Sequence, residues 1–262
     1  AKTPILNINK SIEWIKENCI GNNSISISSQ NKVSYPEVTG YFIPTLYQWG
    51  EKDVARSLVK WLVKIQNADG SFSAPDGIPY TFDTGQVIRG FIAAFGDVPN
   101  IEDPLRNACD WIMTRVDNDG RLTTPSTKMW GDVIDDRIHL YALPPLIDAG
   151  TKLDKPEYVV AAKRVLEYYK DRPNIIEFNT LSHFHAYIIE ALCDLGETDM
   201  AARGMQEINQ LQRSDGGVPG YRDVSWSCST GLAQYAVIWY KLGDKDRANR
   251  ALQYLYKLQN KN

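Results

Sequence analysis

Long apolar runs are missing from this chain of 262 residues, and with them any helix able to span a bilayer. A basic excess is missing too. Lys and Arg number 29 against 32 Asp and Glu, and a net charge of −3 excludes the electrostatic footprint of a nucleic-acid binder. It also gives no long-range pull on an acidic ligand, so such a ligand needs locally placed Arg or Lys. Cysteines are few: Cys19, Cys109, Cys193 and Cys228 lie far apart, with no Cys-x-x-Cys or Cys/His spacing that would hold zinc. They read as reduced residues of helical cores, which favours a cytoplasmic location and leaves a periplasmic or secreted one open. The first residues, "AKTPILNINK", lack the apolar core of a signal peptide. Strand-like alternation is scarce throughout.

Helical periodicity is what fills the chain. Hydrophobic residues make up 43% and charged residues 23%, the balance of an ordinary globular protein with a real core. Five apolar runs each end on a glycine: "FIPTLYQWG" at Gly50, "RGFIAAFG" at Gly96, "LPPLIDAG" at Gly150, "IIEALCDLG" at Gly196 and "AVIWYKLG" at Gly243. The spacings of 46, 54, 46 and 47 residues mark a repeat. Glycine just past a helix end supplies the left-handed turn that closes off the last carbonyls.

A second helix type lies between these runs. "KDVARSLVKWLVKIQ" places Val54, Leu58, Trp61, Leu62 and Ile65 on one stripe with charges opposite, and "LRNACDWIMTRV" does the same with Leu105, Cys109, Ile112 and Val116. An Asp-Gly turn follows in "QNADGSF", "DNDGRL" and "QRSDGG", with a degenerate copy at "YKDRPN". Each unit of about 47 residues is thus an amphipathic outer helix, a turn and an apolar inner helix. Helices apolar all round must sit inside something, and inner helices encircled by outer ones satisfy both kinds. The expected fold is a single all-α domain over residues 1–262, an (α/α) toroid of five full hairpins plus the outer helix of a sixth. An open ring, a partner segment completing it, or a homo-oligomer covering the exposed side are the ways such a ring could be accommodated.

Counting thirteen residues back from each closing glycine gives Glu37, Asp83, Arg137, His183 and Thr230. Thr-Gly follows at 39–40, 84–85 and 230–231, which supports the register; Asp136 and Ser229 lie within one residue of it. In a toroid these inner-helix mouths open on one end of the central cavity, where convergent polar groups in an apolar bowl form a ligand site. Capping accounts for an Asp or Thr at a helix start, worth about 1 kcal/mol, and Gln86 stands at capping-box distance from Asp83. It does not account for Arg and His. Tyr35, Tyr80, Lys128, Trp130, Asp135, His139, His185, Tyr221, Arg222, Asp223 and Trp226 surround the mouths. Aromatics there either fill core or stack on sugar rings. "HFH" is no metal motif, because residues two apart on a helix diverge, so neither metal nor cofactor is expected.

At "WLVKIQNADGSF" and "YTFDTGQVIRGFIAAFG" the chain resembles the six-hairpin α/α-toroid superfamily. The Gln-x-x-Asp-Gly turn is similar to that of terpene cyclases and prenyltransferases. The acids and histidines at the helix mouths look more like carbohydrate-active members: polysaccharide lyases, glycosidases and uronate epimerases. "YPEVTGYFIPTL" with "FDTGQV" is similar to toroid proteins of bacterial polysaccharide pathways. The isoprenoid branch fits poorly, since "DVIDD" has one residue too many for Asp-x-Asp-Asp and no Asp-x-Cys occurs.

The resemblance implies an oligo- or polysaccharide substrate and several chemistries. A lyase acting on a uronate polymer would use His183 or His185 as base and Tyr221 or Tyr80 as acid, with Arg137, Arg222 and Lys128 neutralising the carboxylate. Tyr35, Tyr80, Trp130 and Trp226 would contact sugar. A glycoside hydrolase would use Glu37 and Asp83 as its carboxylate pair, with Asp135 or Asp136 in reserve. An epimerase would share the lyase set, and a non-catalytic glycan-binding module would need only the bowl. The lyase-like reading leads, because His, Tyr and Arg abound at the rim.

Overall fold

Residues 7–21, 23–127 and 135–259 are described by the structure, a computed structural model. Its regular structure is helical apart from one short ribbon among the described residues. The chain divides into two compact units, Asn9–Tyr169 and Ala1–Ile8 with Lys170–Asn262.

In the first unit, α1 (Ile8–Glu17) leads into a short ribbon of Cys19–Ile20 against Ser24–Ile25, a pairing the periodicity did not announce. Helices α2 (Pro36–Gln48), α3 (Lys52–Ile65), α4 (Thr81–Ala94) and α5 (Glu102–Thr114) follow, then a 3-10 segment (Asp136–Ala142), α6 (Leu143–Lys152) and α7 (Pro156–Lys170). The two helix types differ as their sequences require. α3 buries Ala55, Leu58, Val59 and Leu62 on one stripe and turns its charges outward. α4 is buried from Thr81 through Ile88 and again at Gly90, Phe91 and Ala94, as befits a helix enclosed by others. Cutting Leu58 back to Ala would cost roughly 2–5 kcal/mol through the cavity left behind.

Packing of the inner helices depends on the Thr-Gly steps. A methyl group on Gly40 would stand 2.8 Å from the Gln86 carbonyl oxygen, and one on Gly90 would stand 2.9 Å from the Gly40 carbonyl, so α2 and α4 cross with their backbones touching. Gly85 meets Ala142 in the same manner. The threonines pin the incoming loops: the Ile25 amide donates to Thr39 Oγ1 at 2.9 Å, and the Phe72 amide donates to Thr84 Oγ1 at 3.1 Å. The N-terminal halves of α2 and α4 are therefore packed on each other, and their first turns are fixed to the segments that lead into them.

The Asp-Gly turns clip each outer helix to its successor. The Gln66 amide donates to the Gly70 and Pro104 carbonyls at 3.0 and 2.9 Å, reaching the first turn of α5. Gly70, at φ +92°, lies so close to α5 that a methyl group there would stand 2.1 Å from the Asn107 carbonyl oxygen.

The second unit holds α8 (Ser182–Asp194), α9 (Thr198–Gly204), α10 (Gln206–Leu211), α11 (Ser229–Lys241) and α12 (Lys245–Leu258). The clip recurs there, with the Gln212 amide donating to the Gly216 and Arg247 carbonyls at 3.2 and 3.0 Å. Gly231 presses on the start of α8, where a methyl group would stand 2.6 Å from Ser182 Oγ.

Four of the five closing glycines, Gly50, Gly96, Gly196 and Gly243, take the expected positive φ. Gly150 corrects the pattern. It lies inside α6, where its missing side chain admits the Lys155 carbonyl of the next turn, and the left-handed position falls on Asp154 at φ +52°. All four cysteines are free thiols, but only Cys109 is buried in the core.

Candidate active site

The register read from the closing glycines places its residues alike. Glu37, Arg137, His183 and Thr230 are each the second residue of their helical segment, and Asp83 is the third of α4. Glu37, Asp83 and Arg137 belong to the first unit, His183 and Thr230 to the second.

Asp83 is not a cap. The position before α4 is occupied by Tyr80, whose side chain makes no capping bond, and Asp83 lies within the first turn at 0% exposure. Nor does Gln86 close a capping box: its amide nitrogen turns back to the Phe82 carbonyl at 3.5 Å. Instead the Tyr35 hydroxyl, from the residue that opens α2, donates to Asp83 Oδ2 at 3.0 Å. Asp83 Oδ1 and Gln86 Oε1 are buried with no hydrogen-bond partner.

Glu37 lies on the neighbouring first turn and is also buried. Burial, and then the charge of Asp83, holds its carboxyl well above the usual carboxylate range. Burial likewise pushes Asp83 up to about 7; the Tyr35 hydrogen bond pulls the other way, and the charge of Asp76 adds to the rise. Two carboxyls so placed do not both ionise comfortably. Tyr41, one turn beyond Glu37, feels the charges of Glu37 and Tyr141, and its hydroxyl is raised mainly by burial. The Arg89 guanidinium lies over the Tyr141 ring, 3.9 Å from its centre.

Other expected site residues are committed to the scaffold. The Tyr80 hydroxyl donates to Asp76 Oδ2 at 2.8 Å. Asp136 accepts from Arg121 Nε at 2.7 Å and from the Tyr169 hydroxyl at 3.0 Å, while Arg137 grips Asp135 through Nε at 2.7 and 2.8 Å. Asp136 and Arg137 are thus each engaged by neighbours within the protein. His139 donates through Nδ1 to the Leu122 carbonyl at 2.6 Å. Lys128 and Trp130 lie outside the described residues.

In the second unit His185 is a core histidine. Its Nε2 donates to the Ile176 carbonyl at 3.1 Å, so its Nδ1 accepts from the Tyr235 hydroxyl at 2.7 Å, and no ring nitrogen remains to act as a base. His183 differs. Its Nδ1 meets Gln234 Oε1 at 2.6 Å, and the Gln234 amide faces Glu190 at 3.4 Å. That orientation makes Nδ1 the donor and leaves the basic lone pair on Nε2, while burial lowers the imidazole's proton affinity. Tyr221 and Trp226 meet edge to face at the surface, with Trp226 51% exposed. Arg222 is exposed and paired with Glu207 at 2.6 and 2.9 Å. Among the described residues no three His, Cys, Asp or Glu side chains are grouped to hold a metal ion.

Tyr41, Arg89 and Gln234 were not singled out in the sequence, and Gln86 was read there only as a cap partner of Asp83. Gln86 and Tyr41 carried a signal, lying three and four residues beyond Asp83 and Glu37, the spacing of neighbours on one helix face.

No protein-family model matches the sequence. Solved structures do. One described as a novel alpha-amylase from Clostridium perfringens superposes with a TM-score of 0.72 at 14% identity, covering 96% of this chain and 86% of that one. An unsaturated glucuronyl hydrolase specific for heparin gives 0.71 at 16% identity, covering 95% and 81%. The unsaturated glucuronyl hydrolase of Bacillus sp. GL1, responsible for the degradation of glycosaminoglycan, gives 0.61 at 17% identity, covering 82% and 71%. Identities this low speak for the fold alone. These matches show the fold: the chain is an all-α (α/α) toroid of helical hairpins, like the structures it superposes on.

Proposed function

We propose that the chain is a glycoside hydrolase acting on uronate-bearing oligosaccharides, with Glu37 as general acid and Asp83 as general base. One observation carries the reading: two buried carboxyls at the starts of two packed inner helices, Glu37 held well above the usual carboxylate range and Asp83 raised to about 7 with a free oxygen. Glycosidic cleavage needs that division, a proton for the departing oxygen and a carboxylate to activate water. The uronate class draws on the two glucuronyl hydrolases among the structural neighbours.

The test is a panel of neutral, saturated-uronate and unsaturated-uronate oligosaccharides, followed by reducing-sugar release and by ultraviolet absorbance of the unsaturated uronate. Hydrolysis by the wild type, reduced roughly 10²–10⁴-fold in Glu37→Gln and in Asp83→Asn, is the expected result. Full activity in both variants would defeat the assignment.

An elimination reaction is the second reading, favoured by His183, whose Nε2 lone pair is set by Gln234. It predicts rising ultraviolet absorbance from a saturated polymer, which hydrolysis does not produce.

A further inference from the structure

Asp83 and Gln86 are three residues apart on α4 and so share one face of that helix. Asp83 is 0% and Gln86 1% exposed. Buried side-chain oxygens are normally paired, yet Asp83 Oδ1 and Gln86 Oε1 both lack a partner. The remaining polar atoms explain which way the free oxygens are turned. Tyr35 takes Asp83 Oδ2, and the Gln86 amide nitrogen is directed at the Phe82 carbonyl. With Asp83 ionised, both free atoms are acceptors and cannot satisfy each other. A single donor carrying two hydrogens satisfies both, and the smallest such group is water.

We propose that Gln86 is a positioning residue that, together with Asp83, holds the hydrolytic water; this rests on the reading of the site as a hydrolase. The water gives one O–H to Asp83 Oδ1 and the other to Gln86 Oε1. Its lone pair is thereby aimed away from both. In the reaction the water oxygen forms a bond to the anomeric carbon as the bond from that carbon to the leaving oxygen breaks. The bonding pair stays with the leaving oxygen, which takes the Glu37 proton. The attacking water loses its proton to Asp83. Glu37 ends ionised and Asp83 protonated, and one proton exchanged through solvent restores both. Direct attack by water inverts the configuration at the anomeric carbon. Gln86 never bonds to sugar, so its share lies in orientation.

The experiment joins a crystal structure at a resolution that shows ordered solvent with kinetics of Gln86→Leu and Gln86→Glu. The expected result is a water within hydrogen-bond distance of both oxygens in the wild type, absent in Gln86→Leu. Gln86→Leu should lose roughly 100-fold in kcat with KM little changed, the cost of a misplaced nucleophile. It should also shift product partitioning toward methanol when methanol competes with water. Gln86→Glu, which keeps an acceptor, should recover part of kcat. Melting curves and circular dichroism check that each variant folds. An empty site, a direct Asp83–Gln86 bond, or unchanged kcat in a folded Gln86→Leu would overturn the proposal. A wild type that holds the water but hydrolyses no glycan would instead defeat the hydrolase reading and leave the water site standing.

Discussion

The Tyr35 hydroxyl donates to Asp83 Oδ2 at 3.0 Å, joining the residue that opens α2 to a carboxyl in the first turn of α4. A hydrogen bond to the ionised form favours that form, so this contact opposes the burial that drives Asp83 toward protonation. Tyr35→Phe removes the opposition. The carboxyl then titrates at higher pH, and the ascending limb of the pH–rate profile moves in the alkaline direction. Loss of the bond should cost about 1 kcal/mol of stability. A profile unmoved by the substitution would show that Asp83 is not the group whose ionisation starts the reaction.

Asp83 also leaves a mark on stability. Its folded-state value of about 7 stands above the unfolded value of 3.8, so the native state binds more protons between those limits. Stability therefore falls as pH rises from about 4 to about 7, by at most roughly 4 kcal/mol from this group. Asp83→Asn should remove that part of the slope and melt higher than the wild type at pH 8, with little difference at pH 4. Glu37, raised in the same direction, continues to contribute in the variant. Thermal melts across this range decide the matter, and parallel curves would refute it.

The turn glycines should separate into two classes. Gly70 combines a φ of +92° with a carbonyl 2.1 Å from where a methyl group would stand. Gly50 has φ +79° and open space around it. Gly50→Ala should cost about 1–2 kcal/mol, the price of the left-handed conformation alone. Gly70→Ala should cost about 3 kcal/mol or more, because α5 must also move. Urea denaturation of the two variants gives the comparison.

His183 and His185 stand two apart and should behave differently. His185→Ala strips partners from Tyr235 and from the Ile176 carbonyl inside a core and should destabilise by roughly 2–4 kcal/mol. His183→Ala should cost less. If the reaction is hydrolysis by the two carboxyls, His183→Ala should not abolish it; if it is elimination, this variant should be inactive while its helix content stays. Activity and melting temperature measured on the same preparations test both statements.

The periodicity made the hairpins legible because burial dictates composition: an enclosed helix such as α4 can carry few charges, and one half in water such as α3 must carry many. The thirteen-residue register found Glu37 and Asp83 for the same reason, since inner helices of equal length end on glycines at equal distances. Local chemistry was less legible. Asp83 and Gln86 fit a capping box in sequence, but the helix starts a turn earlier, at Thr81, and so both side chains fall inside. Arg137 and Asp136 have the charge of site residues, and only three-dimensional packing shows that Asp135, Arg121 and Tyr169 claim them. Gly150 repeats the spacing of a terminator while serving a close contact with the start of the next helix. Gln86 and Tyr41 were visible as neighbours of the acids, but nothing in composition ranks one neighbour above another.

The contact of Gly40 with Gln86 and Val87 packs together two inner helices whose acids, Glu37 and Asp83, are 46 positions apart in the sequence. A nascent chain that has folded only α2 owns an ordinary glutamic acid, titrating like any other in water. Its raised proton affinity comes into being with burial and with the arrival of the Asp83 charge on α4. The raised proton affinity of Glu37 is therefore a product of assembly rather than of either segment, and its protonation state is a clock for the moment these two helices dock.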